Sequence, residues 1–389
     1  MTLIERIKLF LASNPNASNL DVRMATGASN RSIRRAKQQI RNGGYPLRLI
    51  PRSEETSCKA AIMAGLQKRE LPKKFRELIG HLVAEVEMAL DRQPDIPLPQ
   101  SCSGKEAACL CISDIHAGKQ YYDDQQRCIY NKDICSFKLA VLRQRVAKLL
   151  THNIKQGTID EFHLLLLGDL VDGSGIYVGQ ELSQDLSCVS DQISLVVAGI
   201  WELVREVNRL GYKVFIWGVR GNHGRQSKYA PSDNNFDYLV FQMLYMLAHY
   251  ELPSVQIRYA STTDYLNAVI KGKRVHLRHM APPQTETAAA RAKFGGWAGI
   301  HNFDILCFGH LHHPGGGNYL DKVCIMNGSP IGIDDLAERL AVRSRPSQTL
   351  FGVDAEIGKT FQYEVYLDAF GHGGEAEELL RRYPMLRVY

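Results

Sequence analysis

AACLCISDIH, at residues 107–116, is the stretch from which the fold of this chain can be predicted. Its first six residues are apolar, a run length typical of a strand buried inside a sheet. Ser113, Asp114 and His116 follow directly in the sequence. The stretch therefore predicts a buried strand that places a carboxylate and an imidazole at its carboxyl end.

Apolar runs that end in a polar cluster recur along the chain, at 162–167, 213–219, 274–278 and 304–308. Helical patterns at 137–153 and 194–210 lie between some of these runs, which predicts an α/β domain. Ligand sites in α/β sheets gather beyond the carboxyl ends of the strands. We therefore expect the polar clusters to form one common site.

The polar clusters contain the residue types that bind divalent metals. They have the sequences DIH, GDLVD, GNHG, a single histidine and GHLH, and their polar members are Asp114, His116, Asp169, Asp172, Asn222, His223, His279, His310 and His312. Carboxylate, imidazole and amide oxygen together suit transition metals such as Mn²⁺, Fe, Zn²⁺ or Ni²⁺. Each cluster alone is a weak signal, whereas five in this order, each at a predicted strand end, are a strong one.

In this order the clusters resemble those of the calcineurin-like metallophosphoesterase superfamily, over roughly residues 106–330. The resemblance implies a β-sandwich flanked by helices and a site for two divalent metal ions, with Mn²⁺ the first choice. It assigns the role of bridging both metals to Asp169. The implied ligands of the first metal are Asp114, His116, Asp169 and His312, and those of the second are Asp169, Asn222, His279 and His310.

His223 is expected to be a catalytic acid and not a metal ligand. The resemblance implies that this histidine faces the substrate and protonates the leaving oxygen. By analogy with the phosphoprotein phosphatase branch, Asp172 would orient its ring. His276 is the second choice for the position of His279, should the register of that strand be different.

Two positions depart from the pattern of relatives. Gly173 stands where phosphoprotein phosphatases have an arginine, which argues against a phosphoprotein substrate. Gly224 replaces the acidic residue that often follows GNH. Arg225 and Lys228 could supply phosphate contacts instead, or could be solvated loop charges. The long polar segment at 173–191 is a candidate substrate-facing lid.

The positive charge of the chain is concentrated at its N-terminus. Residues 1–52 contain ten basic and two acidic side chains, a net charge of +8, whereas the whole chain has +6. Three short helical patterns in residues 1–50 resemble a helix-turn-helix domain of the DNA-binding type. The residues expected to contact DNA from the third helix are Asn30, Arg31, Arg34, Arg35, Gln38 and Arg41. A protein-docking module with a charged face is the alternative.

These patterns divide the chain into four predicted segments. They are the helix-turn-helix domain at 1–50, a helical linker with a proline-rich end at 51–105, the α/β catalytic domain at 106–370 and a tail at 371–389. The nine scattered cysteines and the poor match to a signal peptide favour a cytoplasmic protein with free thiols. No apolar run is long enough to span a membrane. The clusters also resemble those of the DNA-repair nuclease branch of the superfamily, and a similarity to phage and prophage phosphoesterases suggests a bacterial or phage-encoded protein.

Three functions remain compatible with the sequence. The first is a two-metal phosphodiesterase or nuclease that acts on DNA, with the N-terminal domain for targeting. The second is a metal-dependent hydrolase of nucleotides or other small phosphoesters. The third is a DNA-binding regulator without catalysis, against which the complete set of ligand residues argues. The sequence does not assign an oligomeric state.

Overall fold

A computed structural model describes residues 104–368, apart from 155–157, 178, 228, 230, 232–233, 281–287, 320, 333 and 335–343. The predicted helix-turn-helix domain, nearly all of the predicted linker and the predicted tail lie outside the described residues. The structure therefore bears on the predicted catalytic domain.

The described part of the chain alternates strands with helices. The strands are β1 (Glu106–Ile112), β2 (Tyr121–Tyr122), β3 (Cys128–Tyr130), β4 (Ile159–Leu166), β5 (Lys213–Gly218), β6 (Gln256–Tyr259), β7 (Tyr265–Ile270), β8 (Lys273–Arg278), β9 (Ile305–Phe308), β10 (Gly315–Tyr319), β11 (Lys322–Met326), β12 (Ser347–Asp354) and β13 (Gly358–Tyr366). The α-helices are α1 (Lys132–Lys148), α2 (Val189–Arg209), α3 (Asp237–Tyr250) and α4 (Ala288–His301). A π-helical turn, Leu149–Asn153, continues α1, and a 3-10 turn, Gln180–Ser183, precedes α2.

Two large sheets carry the fold. The first has six strands in the order β13-β12-β1-β4-β5-β6, and the second has five in the order β10-β11-β9-β8-β7. In the first sheet β1, β4, β5 and β6 are parallel, and in the second β8, β9 and β11 are parallel. Each sheet therefore gathers the carboxyl ends of its parallel strands at one edge, which is where the sequence places its polar clusters.

The alternation of side chains along β1 shows how the layers pack. Cys109 and Cys111 lie in an apolar cluster with Leu277 and Cys307 of the second sheet. Leu110, on the opposite face, lies in the cluster formed with α1, α2 and α3. A third cluster packs α4 against the outer face of the second sheet. The described region is thus a two-sheet sandwich flanked by helices, as the sequence predicts.

The predicted elements agree with the structure more closely for strands than for helices. The runs predicted to be strands all lie in strands, with ends shifted by at most a few residues. The helix predicted to begin at residue 137 begins at Lys132, because the Asn131 side chain accepts a hydrogen bond from the Ile134 backbone N–H at 2.8 Å. No helix within the described ranges is both long and apolar enough to cross a membrane.

Candidate active site

The nine polar residues singled out in the sequence meet at the ends of parallel strands from both sheets. Asp114 and His116 follow β1, Asp169 and Asp172 follow β4, and Asn222 and His223 follow β5 in the same sheet. The histidines of the last two clusters follow β8 and β9 of the other sheet. The two sheets therefore contribute jointly to one polar site.

A first group of possible ligands consists of Asp114, His116 and His312, whose donor atoms all lie within 4.8 Å of one another. The Nε2 atoms of the two histidines are 3.1 Å apart, and Nε2 of His312 lies 3.5 Å from Oδ1 of Asp114. Asp114 and His312 are buried. Buried imidazole nitrogens and a carboxylate that converge in this way form a donor set suited to a divalent metal.

A second group consists of Asp169, His279 and His310, with donor atoms again within 4.8 Å of one another. Nε2 of His279 lies 3.0 Å from Oδ2 of Asp169 and 3.0 Å from Oδ1 of Asn222. The amide oxygen of Asn222 is thus brought to the same point. The two groups, together with Asn222, contain every residue that the resemblance assigned to the two metals.

Asp169 lies between the two groups. Its Oδ1 accepts a hydrogen bond from the His223 backbone N–H at 2.7 Å. Its Oδ2 is 3.0 Å from Nε2 of His279 and 3.9 Å from Nε2 of His116, yet it is buried and makes no hydrogen bond of good geometry. A buried carboxylate oxygen that makes no well-aligned hydrogen bond is costly, and bound cations would satisfy it. Asp169 therefore fits the expected bridging position.

The second ring nitrogen of three histidines faces an oxygen atom. Nδ1 of His279 lies 2.7 Å from the Leu167 carbonyl oxygen, and Nδ1 of His312 lies 3.0 Å from Oδ2 of Asp334. Nδ1 of His116 lies 3.4 Å from Oδ1 of Asp172. Such outer contacts fix the orientation of the ring and leave Nε2 directed toward the metal position.

The pKa values in the two ligand groups show that their buried carboxylates stabilise positive charge nearby. Burial opposes ionisation of Asp169, but the neighbouring His279 outweighs it and holds the pKa of Asp169 well below its usual value. Burial likewise opposes charge on His279 and His312, yet the adjacent carboxylates raise the pKa of His279 to about 9 and that of His312 to about 10. Protons on these rings or divalent cations can supply the required charge, and metal binding would displace the protons.

His223 has the surroundings of a proton donor. Its Nδ1 lies 3.2 Å from Oδ1 of Asp172, and Oδ2 of Asp172 accepts a hydrogen bond from Gln184 Nε2 at 2.6 Å. Burial by itself lowers the pKa of His223, but the charge of Asp169 and the contact with Asp172 outweigh it and raise the pKa. With Nδ1 engaged, Nε2 remains as the atom that can face a substrate.

The glycines of the clusters are required by close approach. A Cβ at Gly221 would lie 2.1 Å from Oδ1 of Asp169, and one at Gly309 would lie 2.6 Å from Oδ2 of Asp114. Gly173 has φ of 74°, and a Cβ there would lie 2.3 Å from the His223 carbonyl oxygen. No arginine can occupy position 173 in this backbone, which explains the departure seen in the sequence.

The backbone of the candidate ligands is strained. Of the nine non-glycine residues with positive φ in the described part of the chain, five belong to the two groups. These five are Asp114, His116, Asp169, His310 and His312. A left-handed conformation costs a non-glycine residue about 1–3 kcal/mol and is concentrated at functional sites. The strain indicates that these residues are retained for the position of their side chains and not for backbone stability.

The sequence profile of calcineurin-like phosphoesterases matches residues 108–314, which span all the clusters. The chain belongs to the calcineurin-like phosphoesterase family. Its members bind two divalent metal ions, and the family assignment makes this chain a metal-dependent phosphoester hydrolase by class. A search of curated proteins found no match.

The solved structures that this chain matches have low sequence identity. An archaeal phosphodiesterase is 12% identical, with 66% of this chain and 99% of that chain covered and a TM-score of 0.34. Vps29 of Entamoeba histolytica complexed with zinc is 13% identical, with 67% and 99% covered and a TM-score of 0.30. The hypothetical protein PH1004 of Pyrococcus horikoshii OT3 is 14% identical, with 73% and 94% covered and a TM-score of 0.35. No substrate follows from these similarities.

Two buried carboxylates, those of Asp334 and Asp237, support the site from positions that no sequence motif marks. The Asp334 carboxylate faces His312 and accepts a hydrogen bond from Lys119 Nζ at 2.6 Å. The buried Asp237 carboxylate accepts backbone N–H bonds from Asp169, Leu170 and Gly221 at 2.8–3.2 Å. Burial and the nearby Asp169 raise the pKa of Asp237 to about 6. No fixed sequence spacing relates Asp237 or Asp334 to the clusters, so only the folded chain shows them.

A buried polar network holds Asp114 from behind. Gln348 Oε1 accepts hydrogen bonds from the Ser113 backbone N–H at 2.8 Å and from Asn327 Nδ2 at 3.0 Å. The Ser329 hydroxyl donates to the Asp114 carbonyl at 2.8 Å. The side chains of Gln348, Asn327 and Ser329 have no solvent exposure. The ends of β11 and β12 thereby fix the turn that presents Asp114.

The remaining predicted residues fall in different places. Arg225 is near enough to Tyr177 to influence its pKa, while Lys228 and the six predicted DNA contacts lie outside the described residues. His276 packs against Tyr265 and Phe303, away from both ligand groups, and its pKa is lowered to about 3 by burial and by the nearby His301. The predicted position of His279 is therefore the one that the structure brings into the site.

Proposed function

We propose that this chain is a two-metal phosphodiesterase that cleaves DNA. The observation that carries the proposal is the geometry of Asp169, which joins two groups of metal-binding side chains beside the His223–Asp172 pair. The first group would hold one metal ion and the second group, with Asn222, the other. Mn²⁺ is the first candidate, and Fe, Zn²⁺ and Ni²⁺ suit the same donors.

The proposed chemistry divides between the metals and the protein. Two bound divalent ions supply Lewis acidity, which activates water and neutralises the charge of the phosphoryl oxygens. His223 donates a proton from Nε2 to the leaving oxygen, because an alkoxide departs poorly without one. Asp172 keeps the ring in that orientation and stabilises its protonated form. Its 3.2 Å contact with Nδ1 supports this role.

Two observations favour a diester over a phosphoprotein. Gly173 leaves no room for the arginine with which phosphoprotein phosphatases bind a phosphate. Lys119, a cation close to the site, is paired with Asp334 at 2.6 Å. A diester carries less charge than a monoester and needs less fixed positive charge around it. A diester therefore suits the described site better.

The choice of DNA rests on residues 1–52, with their net charge of +8. A localised positive unit favours a polyanionic partner. We propose that these residues bind DNA and bring it to the site, and that Arg31, Arg34 and Arg35 contact phosphates or bases.

Activity assays test the catalytic proposal. We expect the full chain with Mn²⁺ to hydrolyse linear DNA and a model diester faster than a model monoester. His223→Ala should lower kcat by about 10²–10⁴-fold, the usual contribution of a general acid, without loss of bound metal. His152→Ala, an exposed histidine in the π-helical turn, is the matched control. Turnover confined to the monoester, or a His223→Ala variant of wild-type kcat, would contradict the proposal.

Salt dependence tests the DNA proposal separately. Each phosphate contact should add about −0.9 to the slope of log K against log salt. Reversing the charge of Arg31, Arg34 and Arg35 should flatten that slope and weaken DNA cleavage, while hydrolysis of the model diester stays at the wild-type rate. DNA binding that is insensitive to salt would instead favour a protein-docking role for the N-terminal residues.

A further inference from the structure

The loop between β4 and α2 has a defined structure over its described residues. Gln180 is buried, and its Oε1 accepts hydrogen bonds from the backbone N–H groups of Ile176 and Tyr177 at 2.9 and 3.2 Å. Its Nε2 donates to the Asp172 carbonyl at 2.6 Å. One glutamine side chain thus ties the tip of the loop to the residue that orients His223.

Two further glutamines hold the base of this loop. Gln184 Nε2 donates to Oδ2 of Asp172 and to the Gly173 carbonyl, at 2.6 and 2.7 Å. Gln192 Oε1 accepts from the Gly173 backbone N–H at 2.8 Å, and its Nε2 donates to the Leu186 carbonyl at 2.7 Å. These contacts fix the loop in place relative to the catalytic pair.

The fixed loop places Tyr177 against the site. The Tyr177 hydroxyl accepts a hydrogen bond from Asn222 Nδ2 at 2.9 Å, and its ring centroid lies 4.9 Å from that of His223. The side chain is nevertheless 49% exposed, and Leu182 on the same loop is 91% exposed. An exposed aromatic ring beside a polar site, as at Tyr177, indicates a surface for an apolar part of a ligand.

Tyr177 has two effects at the site, and the first comes from its hydroxyl group. Because Asn222 Nδ2 donates to this hydroxyl, the amide oxygen is left to face Nε2 of His279 at 3.0 Å. An amide in the opposite orientation would present N–H groups to the proposed metal position. In this arrangement the Tyr177 hydroxyl pairs with the amide nitrogen, and the amide oxygen is directed to the proposed metal position.

The second effect comes from the ring. His223 is the group that protonates the leaving oxygen in the proposed function, so whatever departs from phosphorus lies on the side of His223 and meets Tyr177. We infer that Tyr177 stacks on the nucleobase of the departing nucleotide, so that the site takes an unpaired DNA strand. In a duplex the base is already stacked and paired, and it cannot meet the ring without leaving the helix. This inference rests on the proposed function and adds the recognised part of the substrate.

The test uses matched substrates with Mn²⁺ and the full chain. One is a short single strand with an intact base on the leaving nucleotide, and its partner has an abasic residue at that position. A fully paired duplex of the same sequence and methyl p-nitrophenyl phosphate, which has no base, complete the set. We expect wild type to cleave the intact strand with a kcat/KM about tenfold or more above the abasic one, as stacking on one base provides. The duplex should be cleaved more slowly than the intact strand.

Two variants of Tyr177 separate its two effects, and a variant of Tyr250 is the control. Tyr177→Phe keeps the ring, so it should retain base selectivity while metal affinity and turnover of all four substrates fall. Tyr177→Leu should also reduce the preference for the intact base to about twofold or less. Tyr250→Leu changes an exposed tyrosine at the far end of α3 and should behave as wild type.

The outcomes distinguish this inference from the proposed function. If wild type hydrolyses methyl p-nitrophenyl phosphate but cleaves intact and abasic strands equally well, stacking is refuted and the phosphodiesterase proposal stands. The inference would also be overturned if Tyr177→Leu lowered kcat/KM by the same factor for the intact and the abasic strand. If wild type hydrolyses none of the four substrates with any of the candidate metals, the proposed function itself fails.

Discussion

At the scale of single residues, Gly173 and Gly175 form a natural pair for comparison. Their φ angles are 74° and 76°, so alanine at either position has a left-handed backbone that costs about 1 kcal/mol or more. Their surroundings differ, because a Cβ at Gly173 meets the His223 carbonyl at 2.3 Å and one at Gly175 meets nothing within 4 Å. Alanine variants at the two positions therefore distinguish the effect of backbone strain alone from the added effect of displacing His223.

We therefore expect Gly173→Ala to lower kcat and Gly175→Ala to leave it within about twofold of wild type, an order-of-magnitude allowance for surface changes. Both variants should lose stability, Gly173→Ala by more because a clash adds to the strain. Chemical denaturation and turnover of a model diester are the measurements. Equal kcat values in the two variants would show that His223 tolerates the shift.

Residue types at strand ends could be predicted because each cluster is contiguous with an apolar run. Asp169 lies just beyond the end of β4, after Leu167 and Gly168, and its bridging role is implied by the family resemblance. Asp237 and Asp334 could not be predicted, since they reach the site from distant segments with no fixed spacing. Tyr177 could not be predicted either, because its position depends on the side-chain contacts of Gln180.

At the scale of elements, the ends of β11 and β12 support the end of β1. Gln348 connects them, with Oε1 bound to the Ser113 backbone N–H and to Asn327. The network lies behind the strained Asp114, whose φ is 54°. These two strands therefore contribute to the site without supplying a ligand.

Replacing Gln348 with leucine should leave the Ser113 N–H and part of Asn327 unpaired. We expect a loss of about 1–3 kcal/mol in the free energy of unfolding and a loss of about 10–100-fold in metal affinity, as for other outer-contact residues. Gln362→Leu, at an exposed position of β13, is the control. Denaturation and competitive metal titration measure the two effects. If Gln348→Leu bound metal with wild-type affinity, the buried network would not support the metal-binding residues.

The elements themselves differ in how far the sequence predicts them. β1 could be predicted because its residues 107–112 are continuously apolar, and β4 because it ends in the apolar run 164–166; polar clusters follow both strands. The segment that forms α3 was not predicted to be a helix, because apolar residues lie on nearly all of its faces and no amphipathic period marks it. β12 and β13 lie beyond the last cluster, where no motif located them.

At the scale of the whole domain, an ion-pair group ties the two sheets together near the start of β4. Lys271, in the turn between β7 and β8, lies 2.6 Å from the Asp160 carboxylate and 3.2 Å from the Glu161 carboxylate. A hydrogen bond with His163, followed by the contacts with Lys271, lowers the pKa of Glu161 to about 2. The two sheets are thus joined at the amino end of β4 as well as at the site, which lies beyond the carboxyl ends of the parallel strands.

This group predicts a pH dependence of stability. Because the folded pKa of Glu161 is depressed, its contribution is complete above about pH 4.5 and is lost as the pH falls through about 2. The difference in free energy of unfolding between wild type and Glu161→Gln should therefore shrink from pH 6 to pH 3. Urea denaturation at several pH values measures it. A difference that stays constant over this range would contradict the assigned pKa.

The cysteines between the sheets have a practical consequence. Cys109 and Cys307 are free, fully buried thiols in the cluster shared by both sheets, and burial raises their pKa well above the usual value. Alkylating reagents attack the thiolate, so these two cysteines should react only when the sheets separate. Cys188 is exposed and serves as an internal reference for reagent access. Peptide-level alkylation rates thus measure opening between the sheets in the unmodified chain, without an added reporter group.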